Sequence, residues 1–183
     1  MRKIVSLFLY SLDGYVDNPQ DWVLDRYDDD MNGFLDTTIA SQDDILLGRT
    51  TYEGWLPYWP TATDEPFATF INTTPKHVVS TTLEEVTWES STLISGDVAE
   101  TVGKLKEQPG GDIGVHGSAA LVRSLIGYGL LDELRLALFP VVAGTGTGDR
   151  LFDDVDEAQR MELAELDRTE SGVVLLTYRP RSG

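Results

Sequence analysis

The residues of this sequence best suited to bind a ligand stand directly after short apolar runs. Three such places, which we name strand exits, combine small residues with hydroxyl groups: Gly48, Arg49, Thr50 and Thr51; Ser80, Thr81 and Thr82; and Gly114, Val115, His116, Gly117 and Ser118. Glycine lets the backbone approach a ligand closely, and the start of a helix offers unpaired N–H groups with a partial positive charge. This combination suits phosphate oxygens, so the strand exits predict a site for a dinucleotide pyrophosphate.

Each strand exit also has a plain structural interpretation. Gly48 could simply end a strand, Arg49 could form a surface ion pair, and Ser118 could cap a helix. No Gly-x-Gly-x-x-Gly fingerprint follows the first strand, and no phosphate-binding loop ends in Gly-Lys-Ser/Thr. A Rossmann dehydrogenase and a P-loop enzyme are therefore not predicted.

Hydrophobic periodicity predicts the elements that would position these residues. Apolar runs predict strands at residues 3–9, 43–47, 76–80, 92–95, 112–116 and 132–139, and a hairpin of residues 160–167 and 173–178 turned at Ser171 and Gly172. Helices are predicted at residues 28–40 and 64–72 and after residues 48, 97 and 118, where Asp97 and Glu100 have capping-box spacing. The alternation predicts one α/β domain over residues 1–183, with helices on both faces of a mostly parallel sheet. Ligands of such sheets bind beyond the carboxyl ends of the strands, where the strand exits lie.

Composition excludes several classes of function. With 31 acidic and 14 basic residues the net charge is −17, which disfavours binding to nucleic acid and to anionic membranes. There is no cysteine and there are two histidines, so neither a disulfide nor a transition-metal site is predicted. No apolar run is long enough to span a membrane and no signal peptide is evident, so a cytoplasmic location is expected.

Five segments, distributed over nearly the whole chain, resemble a known family in their sequence, order and spacing. They are 11–16 (SLDGYV), 47–53 (LGRTTYE), 76–80 (KHVVS), 113–118 (IGVHGS), and 129–134 (GLLDEL) continued through Pro140, Gly144 and Gly146 to Leu151 and Phe152. In these segments the sequence resembles the dihydrofolate-reductase-like superfamily, and in particular the C-terminal reductase domain of the bacterial riboflavin-pathway deaminase–reductase and its stand-alone relatives. The resemblance implies a dihydrofolate-reductase-like three-layer fold, a homodimer, and reduction of a small heterocyclic or carbonyl compound by NADPH.

The resemblance also assigns roles to the strand exits. Gly48 to Thr51 would open the helix that holds a cofactor phosphate, Ser80 to Thr82 would lie beside the adenosine ribose, and Gly114 to Ala119 would line the pyrophosphate. Relatives that prefer NADPH often have an arginine at the position of Thr81, and a hydroxyl supplies no charge to a 2′-phosphate. NADPH is therefore the expected cofactor, with NADH as the alternative.

A hydride acceptor of this kind also needs a proton. Asp13, which follows the first strand within the shared segment, is the predicted catalytic residue, although it could instead form a turn with Gly14. Asp28, Asp29 and Asp30 stand at a helix start, where carboxylates are typical because they offset the helix dipole. His116 is expected to line the cofactor with its backbone, and His77 to be structural.

The substrate stays open at this level. A phosphoribosylated pyrimidine of the riboflavin pathway would need basic partners, for which Arg26, Arg49 and Arg150 are candidates. An aromatic group could form a wall for a flat heterocycle, or equally a hydrophobic lid or a dimer contact; its members are Tyr52, Trp55, Tyr58 and Trp59. Two other classes compete with a reductase: a non-catalytic dinucleotide-binding or regulatory module, and a structural dimerisation domain.

Overall fold

A computed structural model describes residues 1–23, 27–144, 148–153, 155 and 157–181. The strands are β1 Ile4–Tyr10, β2 Gln42–Gly48, β3 Lys76–Val79, β4 Ser91–Ile94, β5 Asp112–His116, β6 Glu133–Leu138, β7 Met161–Arg168 and β8 Val174–Pro180. The helices are α1 Asp29–Ala40, α2 Arg49–Trp55, α3 Phe67–Thr73, α4 Val98–Glu107 and α5 Ala119–Gly127, with short 3-10 turns at Pro19–Asp21 and Trp59–Thr61.

The predicted strands and α-helices are all present, and most boundaries agree to within one or two residues. The predicted cap of α4 is confirmed, since the Asp97 carboxylate accepts a hydrogen bond of 2.9 Å from the Glu100 N–H. Helix α3 was expected to begin at residue 64 but begins at Phe67, directly after Pro66. A proline disfavours helical backbone at the residue before it, so Glu65 cannot continue a helix into Pro66.

The strands form a single eight-stranded sheet in the order β4-β3-β2-β5-β1-β6-β8-β7. The six strands from β4 to β6 pair in parallel, whereas β8 pairs antiparallel with both β6 and β7. The β7–β8 hairpin turns through Gly172, where the Thr169 N–H donates to the Val173 carbonyl at 2.9 Å. The predicted α/β fold, a mostly parallel sheet with a C-terminal antiparallel hairpin, is confirmed.

Helices cover both faces of the sheet and bury three apolar clusters. On one face α4 and α5 pack on the middle strands through residues such as Leu125, Val115 and Leu134. On the other face α1 packs over β6 and β8, while α2 and α3 pack over β2 and β3. Strand β5 lies between these last two clusters. Successive residues of a strand face opposite sides of the sheet, and Ile113 and Val115 face α5. Gly114 and His116 therefore face the space between the two clusters.

Candidate functional site

The three strand exits meet at the carboxyl edge of the sheet. Gly48 is level with Val79 of β3, and Leu46 is level with Val115 of β5, so the ends of the three strands lie side by side. Ser80, Gly48 and Gly117 therefore follow adjacent strands. The predicted convergence of the strand exits is confirmed as a matter of geometry.

A direct hydrogen-bonded junction joins two of the exits. The Ser118 hydroxyl accepts a bond of 2.8 Å from the Gly48 N–H and lies 2.8 Å from the Thr51 hydroxyl oxygen. A β-carbon at Gly48 would lie 2.4 Å from the Ser118 hydroxyl oxygen, so a side chain there would displace the serine. The junction fixes the start of α2 against the start of α5.

This junction corrects two sequence-based interpretations. The Gly48 N–H, predicted to face a phosphate, is already bonded to Ser118. Ser118 precedes α5 in left-handed backbone, but its side chain makes no cap hydrogen bond, so the helix-cap alternative is wrong. The first N–H groups of both helices remain for a ligand, since the first turn of a helix lacks internal acceptors.

Gly117 has a geometric reason to be glycine. Its φ angle is +61°, a conformation that side chains rarely adopt, and a β-carbon there would lie 2.9 Å from the Thr51 side chain. Val115 and Ala119 turn their side chains into the core beneath α5, so only their backbone can face the edge of the sheet.

The third exit is a hydroxyl-bonded turn. The Ser80 hydroxyl accepts hydrogen bonds from the N–H groups of Thr82 and Leu83 at 3.1 and 3.0 Å. Thr81 and Thr82 are exposed, and neither forms an ion pair or hydrogen bond with a basic side chain in the described part of the chain. Their hydroxyl groups are therefore accessible at the edge where the adenosine ribose was predicted.

The side chain of His116 and the space over Gly114 lie on a face of the sheet. A β-carbon at Gly114 would lie 2.0 Å from Oε1 of Gln42, whose side chain runs over the strand to bond His116 Nε2 at 2.8 Å. Gly114 thus provides room for this pair on the sheet face. The His116 side chain is only 7% exposed, and burial lowers its pKa to about 4. The imidazole is neutral near pH 7.

The carboxylate of Asp13, the predicted catalytic residue, is held by three hydrogen bonds. Its carboxylate accepts hydrogen bonds from the Ser11 hydroxyl at 2.7 Å and from the N–H groups of Ala143 and Gly144, each at 2.9 Å. Desolvation raises the pKa of Asp13, but these bonds, with that of Gly144 the largest, lower it to about 2 overall. A carboxylate that stays ionised and hydrogen-bonded is a poor proton donor. This geometry therefore disfavours the predicted catalytic role of Asp13 and favours a structural role, in which its carboxylate joins two loops.

The acidic start of α1 is also structural. Asp28 caps the helix by accepting from the Met31 N–H at 3.0 Å and reaches the β7–β8 turn through the Ser171 N–H at 2.9 Å. Hydrogen bonds from Ser171 and Met31 lower the pKa of Asp28 to about 2. Asp30 bonds the Glu170 N–H at 3.1 Å, so the same helix end fixes the hairpin.

The aromatic group divides into core and surface. Tyr52 is 3% exposed, and its hydroxyl accepts from the Thr87 N–H at 2.7 Å, so it belongs to the core between α2 and β3. Trp55 and Trp59 are half-buried and meet Phe67 edge-to-face, with ring centroids 5.9 and 4.8 Å apart. Tyr58 is 54% exposed. Of the predicted wall, Trp55 contacts His116, with ring centroids 6.5 Å apart.

The predicted basic residues are dispersed. The Arg49 guanidinium is half exposed and pairs with Glu53 at 2.8 Å within α2, as its alternative interpretation predicted. The Arg150 guanidinium stacks 5.0 Å over the Tyr15 ring beside the loop that follows β1. Arg26 and Gly146, also named from the sequence, lie outside the described residues.

The predicted structural role of His77 is supported, since its Nε2 lies 2.7 Å from Asp44.

Two notable side chains were missed from the sequence. Gln42 carried no signal, because its partner His116 lies 74 positions away. Lys76 is fully buried and donates to the carbonyls of Ile71 and Thr74 at 2.9 and 3.0 Å, at the end of α3. Burial lowers its pKa to about 8. Lys76 and Val78 are two residues apart in β3 and so share one face of the sheet. The apolar Val78 could therefore have predicted that the Lys76 side chain is buried.

No helix among the described residues is long and apolar enough to cross a membrane. Nor do the described acidic and histidine side chains form a group of three or more that could hold a metal ion.

Nearly the whole chain is similar in sequence to known proteins. The family model of the RibD C-terminal domain matches residues 2–175. The uncharacterized protein YyaP of Bacillus subtilis strain 168 is 33% identical over 184 residues, covering 97% of this chain and 94% of that protein. YwjB of the same organism is 26% identical, covering 88% and 89%.

Solved structures share the fold. A putative riboflavin biosynthesis protein from Shewanella sp. PV-4 superposes with a TM-score of 0.77 at 20% identity, covering 98% of this chain and 99% of that one. Dihydrofolate reductase from Enterococcus faecalis, complexed with NADP(H), gives a TM-score of 0.61 at 15% identity, covering 98% and 97%. At these identities the likeness concerns the fold, which is dihydrofolate-reductase-like.

Proposed function

The chain belongs to the RibD C-terminal domain family, a family of reductases, and we propose that it transfers hydride from a reduced nicotinamide dinucleotide to a small heterocyclic or carbonyl compound. Pteridine- and pyrimidine-like rings are the substrate class we favour. A dihydrofolate and a riboflavin-pathway intermediate both fall within it.

The observation that carries this proposal is the junction of α2 and α5. Two helices start side by side at the carboxyl edge, joined by the 2.8 Å bond between the Gly48 N–H and the Ser118 hydroxyl. The first turn of each helix offers unpaired N–H groups and a partial positive charge, in a chain whose net charge is −17. In an acidic protein, such a place is well suited to a pyrophosphate.

The residues at this edge fit a dinucleotide. The N–H groups of Arg49 and Thr50 and those at the start of α5 would hold the phosphates, and the absence of a side chain at Gly117 leaves its backbone accessible. Ser80, Thr81 and Thr82 would lie beside the ribose of the adenosine end. The hydride is the chemistry that the bound nicotinamide supplies.

The loops that follow β1 and β6 would close the nicotinamide end. Asp13 holds them together through Ala143 and Gly144, and the Leu12 N–H donates to the Val141 carbonyl at 2.8 Å. A fixed wall of this kind positions the reactants and excludes water. With Asp13 ionised, we infer that the proton reaches the product from solvent.

NADPH is the proposed cofactor, with NADH as the alternative. The Enterococcus faecalis neighbour is complexed with NADP(H). Thr81 and Thr82 offer hydroxyl groups to a 2′-phosphate but no charge, so the proposed preference for NADPH is small.

A second candidate function is binding of the dinucleotide without turnover. The engagement of Asp13 in three hydrogen bonds favours it, since the predicted proton donor is not free. The two functions differ in whether the bound cofactor is oxidised when a pteridine or pyrimidine substrate is added.

Titration with NADPH and NADH, followed by tryptophan quenching and cofactor fluorescence, tests the proposal. Binding at sub-millimolar concentration is expected, and absorbance at the reduced-nicotinamide band then reports turnover. If neither cofactor binds, both candidate functions are wrong. Binding without oxidation, across dihydrofolate, riboflavin-pathway intermediates and quinones, would favour the second.

A homodimer is also proposed. The edge strand β7 presents Leu163 and Leu166 with 48% and 65% of their surface exposed, which is consistent with a partner on this side. Light scattering on the purified protein would give the mass directly, and a monomer would overturn this part.

A further inference from the structure

The side chains of Gln42 and His116 meet over β5. They lie on the sheet face covered by α1, α2 and α3, between the apolar cluster beneath α1 and the cluster beneath α2 and α3. Gln42 begins β2 and His116 ends β5, so the two side chains approach each other from opposite ends of the sheet over Gly114. Both are buried, at 8% and 7% exposure. Burying two polar side chains costs free energy unless their polar atoms are hydrogen-bonded, and their mutual bond of 2.8 Å meets part of that need.

This bond favours one tautomer of His116. The Gln42 amide presents Oε1, an oxygen that only accepts, to His116 Nε2, and the tautomer that matches this orientation carries its proton on Nε2. Burial lowers the pKa of His116 to about 4, so the ring is neutral near pH 7. Nδ1 is then a lone-pair acceptor, and it bonds to none of the other described residues.

Three aromatic rings pack near the His116 imidazole. The centroids of Phe67 and Phe70 each lie 5.6 Å from that of His116, and that of Trp55 lies 6.5 Å away. Burial is the cause of the lowered pKa of His116, and no charged neighbour contributes to the shift. His116 directly precedes Gly117, so this surface adjoins the proposed dinucleotide site.

We propose that Gln42 and His116 form a substrate-recognition pair, in which His116 Nδ1 accepts a ring N–H from an uncharged, flat heterocycle of the pterin or pyrimidine class. The inference rests on the proposed function, because it places the heterocycle beside the cofactor site. Gln42 is the positioning residue, since it holds the tautomer that leaves Nδ1 as an acceptor. A neutral ring among aromatic rings is favoured over an anion, for which no described cation contacts the imidazole.

Fluorescence titration of the wild-type complex with NADP⁺ tests this, with pterin as the neutral probe and 6-carboxypterin as its anionic counterpart. Pterin should bind at least about tenfold more tightly than 6-carboxypterin, the effect of about 1.4 kcal/mol. His116→Phe keeps an aromatic ring but removes the acceptor, so pterin binding should fall about tenfold while NADPH binding is retained. His116→Gln, with an amide oxygen, should recover part of the loss.

His77→Phe is the matched control, because it makes the same replacement at the other histidine, which pairs with Asp44. It should leave pterin binding unchanged. An equal loss of pterin binding in His77→Phe and His116→Phe would overturn the inference, as would unchanged binding in His116→Phe.

Gln42→Glu tests the positioning role separately from folding. A carboxylate beside Nε2 stabilises the imidazolium and raises the pKa of His116, so Nδ1 gains a proton and ceases to accept. Pterin binding should then weaken about tenfold at neutral pH and recover as the pH rises, while the wild-type binding stays flat down to the pKa of His116 near 4. An unshifted pH profile in Gln42→Glu overturns the pair.

The outcomes separate this inference from the proposed function. Failure of the wild-type protein to bind either NADPH or NADH removes both. NADPH binding without any pterin binding by the wild-type complex removes only the recognition pair. If His116→Phe does not fold, the pH profile of Gln42→Glu decides alone.

Discussion

The Ser118 hydroxyl oxygen lies 2.8 Å from the Gly48 amide nitrogen, joining residues that are 70 positions apart. The same oxygen lies 2.8 Å from the Thr51 hydroxyl. One serine therefore fixes how the start of α5 faces the start of α2. If the dinucleotide binds at this edge, the geometry of its site depends on that contact.

Ser118→Ala should weaken NADPH binding and lower stability together. Removing the hydroxyl leaves the Gly48 N–H without its acceptor, which costs about 1–3 kcal/mol when the group is buried. We expect roughly tenfold weaker NADPH binding by fluorescence titration and a lower urea midpoint. Ser124→Ala is the control, since that exposed hydroxyl on the same helix bonds only the Ala120 carbonyl. Equal effects of both changes would contradict the proposed junction.

Gly117→Ala and Gly129→Ala form a second matched pair. Both glycines have positive φ, +61° and +67°, so both changes strain the backbone by about 1–2 kcal/mol. A β-carbon at Gly117 meets Thr51 at 2.9 Å, whereas nothing lies within 4 Å of one at Gly129. Both variants should lose stability in urea, but only Gly117→Ala should lose NADPH affinity. Retained affinity in Gly117→Ala would mean the pyrophosphate binds elsewhere.

Asp13→Asn should weaken the contact between the loops that follow β1 and β6, and it should not remove a proton donor from the reaction. The amide keeps one acceptor oxygen and cannot serve the Ser11 hydroxyl and both N–H groups, of Ala143 and Gly144. Since the pKa of Asp13 is about 2, the pH profile of turnover should keep its shape in this variant between about pH 5 and about pH 8, at a lower rate. Loss of a pH-dependent limb from that profile would restore Asp13 as the proton donor.

Glu133 makes folding sensitive to acid. Desolvation raises the pKa of its carboxyl, but bonds from Arg135 and Lys3 bring it down to about 2 overall, below the ordinary value of 4.5. Because the folded-state pKa is the lower one, the stabilisation is present above about pH 4.5 and is lost as the pH falls toward 2. Glu133→Gln should flatten this part of the stability curve and cost on the order of 2 kcal/mol at neutral pH, since it leaves the partly buried Arg135 guanidinium without its carboxylate partner.

Urea unfolding at several pH values from neutral to acid measures this effect. Glu162→Gln is the control, because the carboxylate of Glu162 is exposed and meets Arg181 at only 3.7 Å. That surface pair should contribute little. A wild-type curve that stays flat across the acid range would show that the pKa of Glu133 is not lowered by folding.

Much of the fold was available from local patterns. Alternating and helical periodicities predicted every strand and helix, and Asp97 marked the start of α4 through its own side chain. These features depend on residues within a turn or two of one another. The candidate site followed in outline, because parallel strands place their carboxyl ends at one edge.

The roles of individual residues at that edge needed the tertiary structure. Gly48 was predicted to face a phosphate and instead bonds Ser118; Gly114 was predicted to line a pyrophosphate and instead makes room for Gln42 and His116. Asp13, the predicted proton donor, joins two loops through the Ala143 and Gly144 N–H groups. In each case the deciding partner is far away in sequence.

The sequence by itself determined the elements, the α/β class and the edge of the sheet where a ligand would bind. The tertiary structure decided which side chains use up their hydrogen-bonding groups on one another and which stay available. That division follows from strand order: β5 inserts between β2 and β1, and this places His116 beside Gln42 and Ser118 beside Gly48. No local pattern encodes such an insertion, because the free energy that selects it comes from burying all the strands and helices together.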